Sequence, residues 1–347
     1  MKNVIKSLCL CLVLVLAFFG CHHETPVVVV ATVSESIVTG FMTNLQLIAS
    51  QTSHAVCPSV SPNGQWVAFA GDSEPLASRS VNWDIFVVGS SGGETIQVTH
   101  DREMINEENP AWMADSARLV YNSDADNAQL NLWMRPYAGG GGSTKLTSEP
   151  NCFFASVSPD GEKIAYTHGA YDPVNYNLLT SAYVTPALLD LNAEGWYTQG
   201  GLGRPEIWVM NIKTGERTLL TEGIQPSFCP DGNKIAFTKL QGGKLEIWSI
   251  DVDGTHLSRL IGTRGHCMEP CWSPSGRNLV FVSGESGFWK LWAMRGEDNY
   301  PVQLTAGTTS EGHPSWGEAG NLFFHSNVQS PSDSTVKWKI WKAKIKL

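Results

Sequence analysis

"CPSVSPNGQWVAF", residues 57–69, and "NPAWMADSARLVY", residues 109–121, share a shape more than a spelling. Each reads as a short strand, a reversing turn and a second strand. With the turn residue that follows each Pro-x-x segment as a ruler, the equivalent positions are Ser61, Met113, Ser158, Cys229, Ser273 and Gly317. Six copies therefore recur, with a basic period of roughly 44 residues, the length of one four-stranded propeller blade.

Every copy has the same parts. In "VSPNG", "VSPDG", "FCPDG" and "WSPSG" the last four residues carry Pro second and Gly fourth, which suits a type I turn and forces the chain to reverse. The segments that follow, "WVAFA", "RLVYN", "KIAYT", "KIAFT", "NLVFV" and "NLFFH", are apolar or small at consecutive positions, so these strands should be covered on both faces. Third strands read "DIFVVG", "NLWMRP", "EIWVMN", "EIWSID", "KLWAMR" and "KIWKAK", with Phe86, Trp133, Trp208, Trp248, Trp292 and Trp341 in register. These rings are expected to pack between blades rather than to form a ligand cage. Fourth strands are "IQVT", "TKLT", "TLLT", "SRLI" and "VQLT", one fewer than the six repeats require. The missing strand is "LQLI", residues 45–48, ahead of the first repeat. It should pair with the C-terminal strand and close the ring, removing the open edges of a linear array. The lysine-rich ending "KWKIWKAKIKL" is then a solvated edge.

The Ser-Pro-Asp-Gly turns, the "EIWVMN" strand and the "QLT" strand together resemble the TolB-type propeller repeat. The resemblance covers residues 41–347 and implies an all-β, six-bladed β-propeller whose last blade is completed by an N-terminal strand. It implies a fold more than a function, because one fold hosts many activities. TolB-like proteins pair this propeller with an additional α/β domain and act as periplasmic interaction hubs; only about twenty residues separate Cys21 from the first strand, which argues against a role in the Tol system itself.

The start, "MKNVIKSLCLCLVLVLAFFGC", has Lys2 and Lys6, an apolar run from Leu8 to Phe19, then Gly20 and Cys21. It reads as a secretory signal over residues 1–20, of the lipoprotein type, with Cys21 as the lipidated residue. The apolar run, about a dozen residues, is shorter than the roughly 20 that span a membrane. Residues 21–40 are expected to be a tether and 41–347 the propeller. The formal net charge is -9, about -11 without the signal, a poor match for the basic footprint of nucleic-acid binding. Five cysteines remain downstream: Cys57, Cys152, Cys229, Cys267 and Cys271. An odd number is no clean disulfide framework, and the Cys267-x3-Cys271 pair has no partner pair at zinc-finger spacing.

Two loops exceed the period, both between second and third strands and hence on the face where the innermost strands begin. Blade one has a small excess between Gly71 and Asn82; blade three carries a long insertion, residues 170–204. That insertion holds Tyr171, Tyr176, Tyr183, Trp196 and Tyr197. Aromatic side chains on a long loop suit a contact surface, since they bury large area at low entropic cost. On the same face, positions one and four residues before the repeat proline place His54, His266, Glu269 and His313 in neighbouring blades. These four are candidates to converge at the channel mouth, where imidazole and carboxylate would suit a divalent metal. "GSSGG", residues 89–93, fits the serine-hydrolase pattern, but no helix follows it and Ser91 is not expected to be a nucleophile. The main expectation is a non-enzymatic, membrane-anchored cell-envelope module, a monomeric propeller without cofactor that binds a protein or glycan through its insertion-bearing face. The alternative is a metal-assisted polysaccharide-active enzyme similar to oligogalacturonate lyases.

Overall fold

The computed structural model describes residues 40–49, 52, 54–72, 82–100, 105–127, 129–169, 204–296, 298–327 and 337–347. These residues form six sheets of four antiparallel strands, with one 3-10 turn at Glu318–Gly320. Five blades use consecutive strands. Their innermost strands are Ala55–Val60, Glu107–Trp112, Cys152–Val157, Ile224–Phe228 and Cys267–Trp272. The sixth blade contains Glu311–Trp316, Asn321–Ser326 and Lys339–Ile345, and takes its outermost strand, Met42–Ala49, from the front of the chain. Met42 pairs with Ile345, Gln46 with Lys342, Leu47 with Trp341 and Ala49 with Ile340. The expected latch is therefore present.

Second strands lie in mid-sheet, pressed between neighbouring blades. In blade one Val67, Ala68, Phe69 and Ala70 are all fully buried, as their unbroken apolar run requires. The core is a set of inter-blade layers. One joins Ala68, Ile85 and Val87 of blade one to Trp112, Leu119 and Tyr121 of blade two; another joins Ile207 and Val209 of blade three to Phe228, Phe237 and Ile250 of blade four. Phe86, Trp133, Trp208, Trp248, Trp292 and Trp341 each pack in one of six such layers, so the register of aromatics is a packing device.

One polar feature fixes strands within a blade and another ties two blades together. The threonine that ends "QVT", "KLT" and "QLT" turns its hydroxyl back onto the third strand. Thr99 Oγ1 accepts from Ile85 N–H at 2.8 Å, Thr147 Oγ1 from Leu132 N–H at 3.0 Å, and Thr305 Oγ1 from Leu291 N–H at 2.9 Å. Between blades five and six, Lys290 Nζ meets Glu311 Oε2 at 3.0 Å, both side chains being essentially without solvent. Lys290 also donates to Ala306 O and Thr309 Oγ1, and such full satisfaction is what a buried pair needs to offset its desolvation. The "GSSGG" segment is a reversing turn between third and fourth strands of blade one, with Gly92 N–H on Gly89 O at 2.8 Å.

Candidate binding site at the propeller axis

Each innermost strand carries the same irregularity. Pairing with the second strand slips by one residue between Val56 and Ser59, Glu108 and Ala111, Phe153 and Ser156, Ile224 and Ser227, Met268 and Cys271, and Gly312 and Ser315. The first residue of each bulge is left-handed: Cys57, Asn109, Phe154, Gln225, Glu269 and His313 have φ between 46° and 56°. Of these six, only asparagine and histidine are enriched in that conformation, so elsewhere the sheet geometry imposes it. In five blades the next residue is proline (Pro58, Pro110, Pro226, Pro270 and Pro314). Proline brings no N–H to the position where the bulge removes a ladder acceptor.

The bulge residue's own N–H leaves the ladder as well, and the preceding blade accepts it. Gln225 N–H donates to Thr167 Oγ1 at 3.1 Å, Glu269 N–H to Thr238 Oγ1 at 3.2 Å, and Cys57 N–H, across the closure, to His325 Nδ1 at 3.2 Å. Thr167, Thr238 and His325 occupy the fifth position of the second-strand motif. Blades one and five have Ala70 and Val282 there, which offer no side-chain acceptor. In both cases the neighbouring bulge side chain substitutes: Asn109 N–H bonds the Cys57 sulfur, and His313 N–H donates to Glu269 Oε2 at 2.6 Å. Glu269 Oε1 also receives the Gln225 amide at 3.4 Å and lies 3.1 Å from His313 Nε2, without hydrogen-bond alignment.

This ring floors an axial funnel of about 580 Å³ that continues along the innermost strands to the Ser-Pro turns. Its wall includes Trp112, Trp272, Trp316 and Phe154. Trp112 and Trp272 are fixed by indole N–H bonds to Ser59 O and Ser227 O of the preceding blades, at 2.9 and 3.3 Å. Cys57 and Cys271 also line it. Burial, reinforced for Cys57 by Glu108 and Glu269, holds the Cys57 thiol well above its usual range, and burial pushes Cys271 up to about 12. Neither is a thiolate at neutral pH, so neither is an activated nucleophile. All five described cysteines are free.

The TolB beta propeller domain family matches residues 171–346, just over half of the sequence. The chain belongs to this family. An uncharacterized protein of Agrobacterium fabrum is 30% identical over 181 residues, which cover 44% of this chain and 57% of that relative's length. The solved structure of a TolB candidate from Agrobacterium tumefaciens superposes with a TM-score of 0.57 at 18% identity, covering 89% of this chain and all of that one. An oligogalacturonate lyase from Vibrio parahaemolyticus gives 0.55 at 14% identity, covering 89% and 96%. At such identities the likeness to both structures is one of fold.

The four candidates expected to converge in this TolB-type propeller do so only in part. Glu269 and His313 meet on the axis. His54 lies edge-on to Trp83 with ring centroids 6.5 Å apart, and its Nδ1 is 3.5 Å from Trp338 N. His266 Nδ1 accepts from Leu245 N–H at 3.2 Å. Burial lowers the pKa of both rings, consistent with neutral acceptors. The reason is positional: residues four before the proline lie at the outer start of the strand, where the side chain meets a neighbouring backbone before it reaches the axis. Among the described residues no group of three His, Cys, Asp or Glu side chains is arranged to hold a metal ion. One carboxylate and one imidazole on the axis do not make a divalent-metal ligand set, so no metal-assisted step is derived for this site. His325 went unnoticed in the sequence, although the fifth residue of "NLFFH" aligns with Thr167 and Thr238. Cys21, the leader, the tether and the insertion with Tyr171, Tyr176, Tyr183, Trp196 and Tyr197 lie outside the described residues.

Proposed function

We propose that this TolB-type propeller is an exported, non-enzymatic cell-envelope module, anchored through a lipid on Cys21, that binds another envelope component, a protein or a glycan. The observation that carries the reading is the axial funnel, a concave site within the 300–1,000 Å³ range of ligand pockets, with fixed tryptophans in its wall. Its thiols are held protonated, so its chemistry is that of a contact surface. The insertion of residues 170–204, with Tyr171, Tyr176, Tyr183, Trp196 and Tyr197, is proposed from its sequence as a second contact surface. Membership of the TolB family supports the envelope setting.

Photo-crosslinking in the cell envelope tests this. A benzophenone amino acid is placed at Pro274 on the funnel rim, at Tyr176 in the insertion, and at Tyr300, which is 84% exposed, as a control. Discrete adducts to an envelope component are expected from Pro274 and Tyr176 and not from Tyr300. Equal adduct formation from all three sites, or none from the rim, overturns the funnel as a binding surface.

A further inference from the structure

We propose that the axial funnel takes a cationic group, a lysine or arginine side chain borne on a segment of a bound protein, with Glu269 as its counter-charge. The inference rests on the reading of the funnel as a binding surface and adds the chemistry of what enters it.

Two nearby carboxylates make the case. Glu311, in the innermost strand of blade six, is buried and has its own ammonium partner, Lys290 Nζ, at 3.0 Å. Glu269, one blade back, has a side chain only 6% exposed, and its ion-pair neighbour among the described residues is the His313 imidazole, poorly aligned. Its remaining partners are the neutral His313 N–H and a long contact from the Gln225 amide. A buried carboxylate is stabilised best by a full positive charge, and no lysine or arginine among the described residues is paired with Glu269.

The surroundings point the same way. Among the described residues that line the funnel there is no lysine or arginine, and the acidic ones are Glu269 on the floor and Glu318 at the rim. An anion would meet these two carboxylates there. The walls suit the rest of a basic side chain: Trp272, Trp316 and Phe154 line the funnel, and aromatic surface favours both a guanidinium or ammonium and its methylene stem. A divalent metal would find one carboxylate and one imidazole, short of the ligands it needs.

The test uses the purified chain with 15N-labelled tryptophan, following indole resonances by NMR at low ionic strength. The probes are n-butylguanidinium, butyrate, 1-butanol and manganese chloride. Butylguanidinium is expected to shift the Trp272 and Trp316 indoles saturably, while butyrate leaves them in place. Glu269→Gln, which keeps an acceptor for His313 N–H, should weaken that binding at least tenfold with little change in melting temperature. Asn109→Asp, which adds a second carboxylate at a position where aspartate tolerates the left-handed backbone, should tighten it. Equal titration of the parent and Glu269→Gln, a response to butyrate, or the absence of any response overturns the proposal. Manganese broadening of the same indoles that Glu269→Gln abolishes would make the site a metal site and overturn it too. If 1-butanol acts as strongly as the cation, the charge assignment falls while the funnel stands as an apolar binding surface. Missing crosslinks from Pro274 would instead remove that surface itself.

Discussion

His325 shows how one residue can serve two needs. Its ring is buried, its Nδ1 accepts the Cys57 N–H that joins blade six to blade one, and its centroid lies 5.0 Å from that of His313. Burial, and then the nearby His313 charge, hold its pKa well below the usual value. The unfolded chain therefore takes up the proton first. The stability due to neutral His325 is fully present above about pH 6.5 and is lost as pH falls below that value toward the folded-state pKa. The limiting slope is about 1.4 kcal/mol per pH unit for one proton. His54, His168 and His266 are lowered in the same direction by burial and add to it. Urea unfolding of the parent and of His325→Thr, which supplies the acceptor used at Thr167 and Thr238, should show a shallower acid loss in the variant between pH 6.5 and 5. Parallel slopes would show that His325 is not a source of the acid sensitivity.

At the scale of the strand, the repeat motif is a hydrogen-bond program. The fourth-strand threonine is the clearest instance, because it serves a backbone N–H that the ladder leaves without a good partner. Thr99 is fully buried, and Thr99→Val keeps its shape while removing the acceptor for Ile85 N–H. The cost should be about 1–3 kcal/mol, the desolvation penalty of an unsatisfied buried donor. Thermal or denaturant unfolding measures it, and a loss below about 0.5 kcal/mol would mean that another group takes over the N–H. The bulge works by the same logic. Proline after the bulge is legible in the sequence as punctuation, yet its purpose is visible only once the slipped pairing is seen. The acceptor at the fifth second-strand position was also in plain view, but Thr, Asn, His, Ala and Val do not look like one functional class until the preceding blade's side chain is placed beside the next blade's N–H.

At the scale of the molecule, ring closure decides whether there is an edge. Leu47 and Ile48 reach Trp341 and Ile340 across the sequence, and Gln46 donates its amide to Ser91 O of blade one. A chain beginning at residue 50 should melt lower and self-associate, because blade six then presents an unpaired third strand. A synthetic peptide of residues 41–50 should restore the melting temperature and the monomer when added in trans. Sedimentation alongside calorimetry checks both, and a truncated chain that remains monomeric with unchanged melting would remove the latch from the account of stability.

The period of roughly 44 residues, the turn chemistry and the doubly apolar second strands determined the number of blades, the strand order and the closing strand, because each depends on local spacing and on which faces are covered. Tertiary structure alone decided which polar residues meet. Glu269 and His313 come together because successive bulges point the same way around one axis, whereas His54 and His266, read from the same repeat, end against neighbouring backbone. Spacing along a chain fixes where a residue stands in its blade; the direction of its side chain and the partner it finds depend on a bulge and on the neighbouring blade, and those distances exist only once the ring is shut.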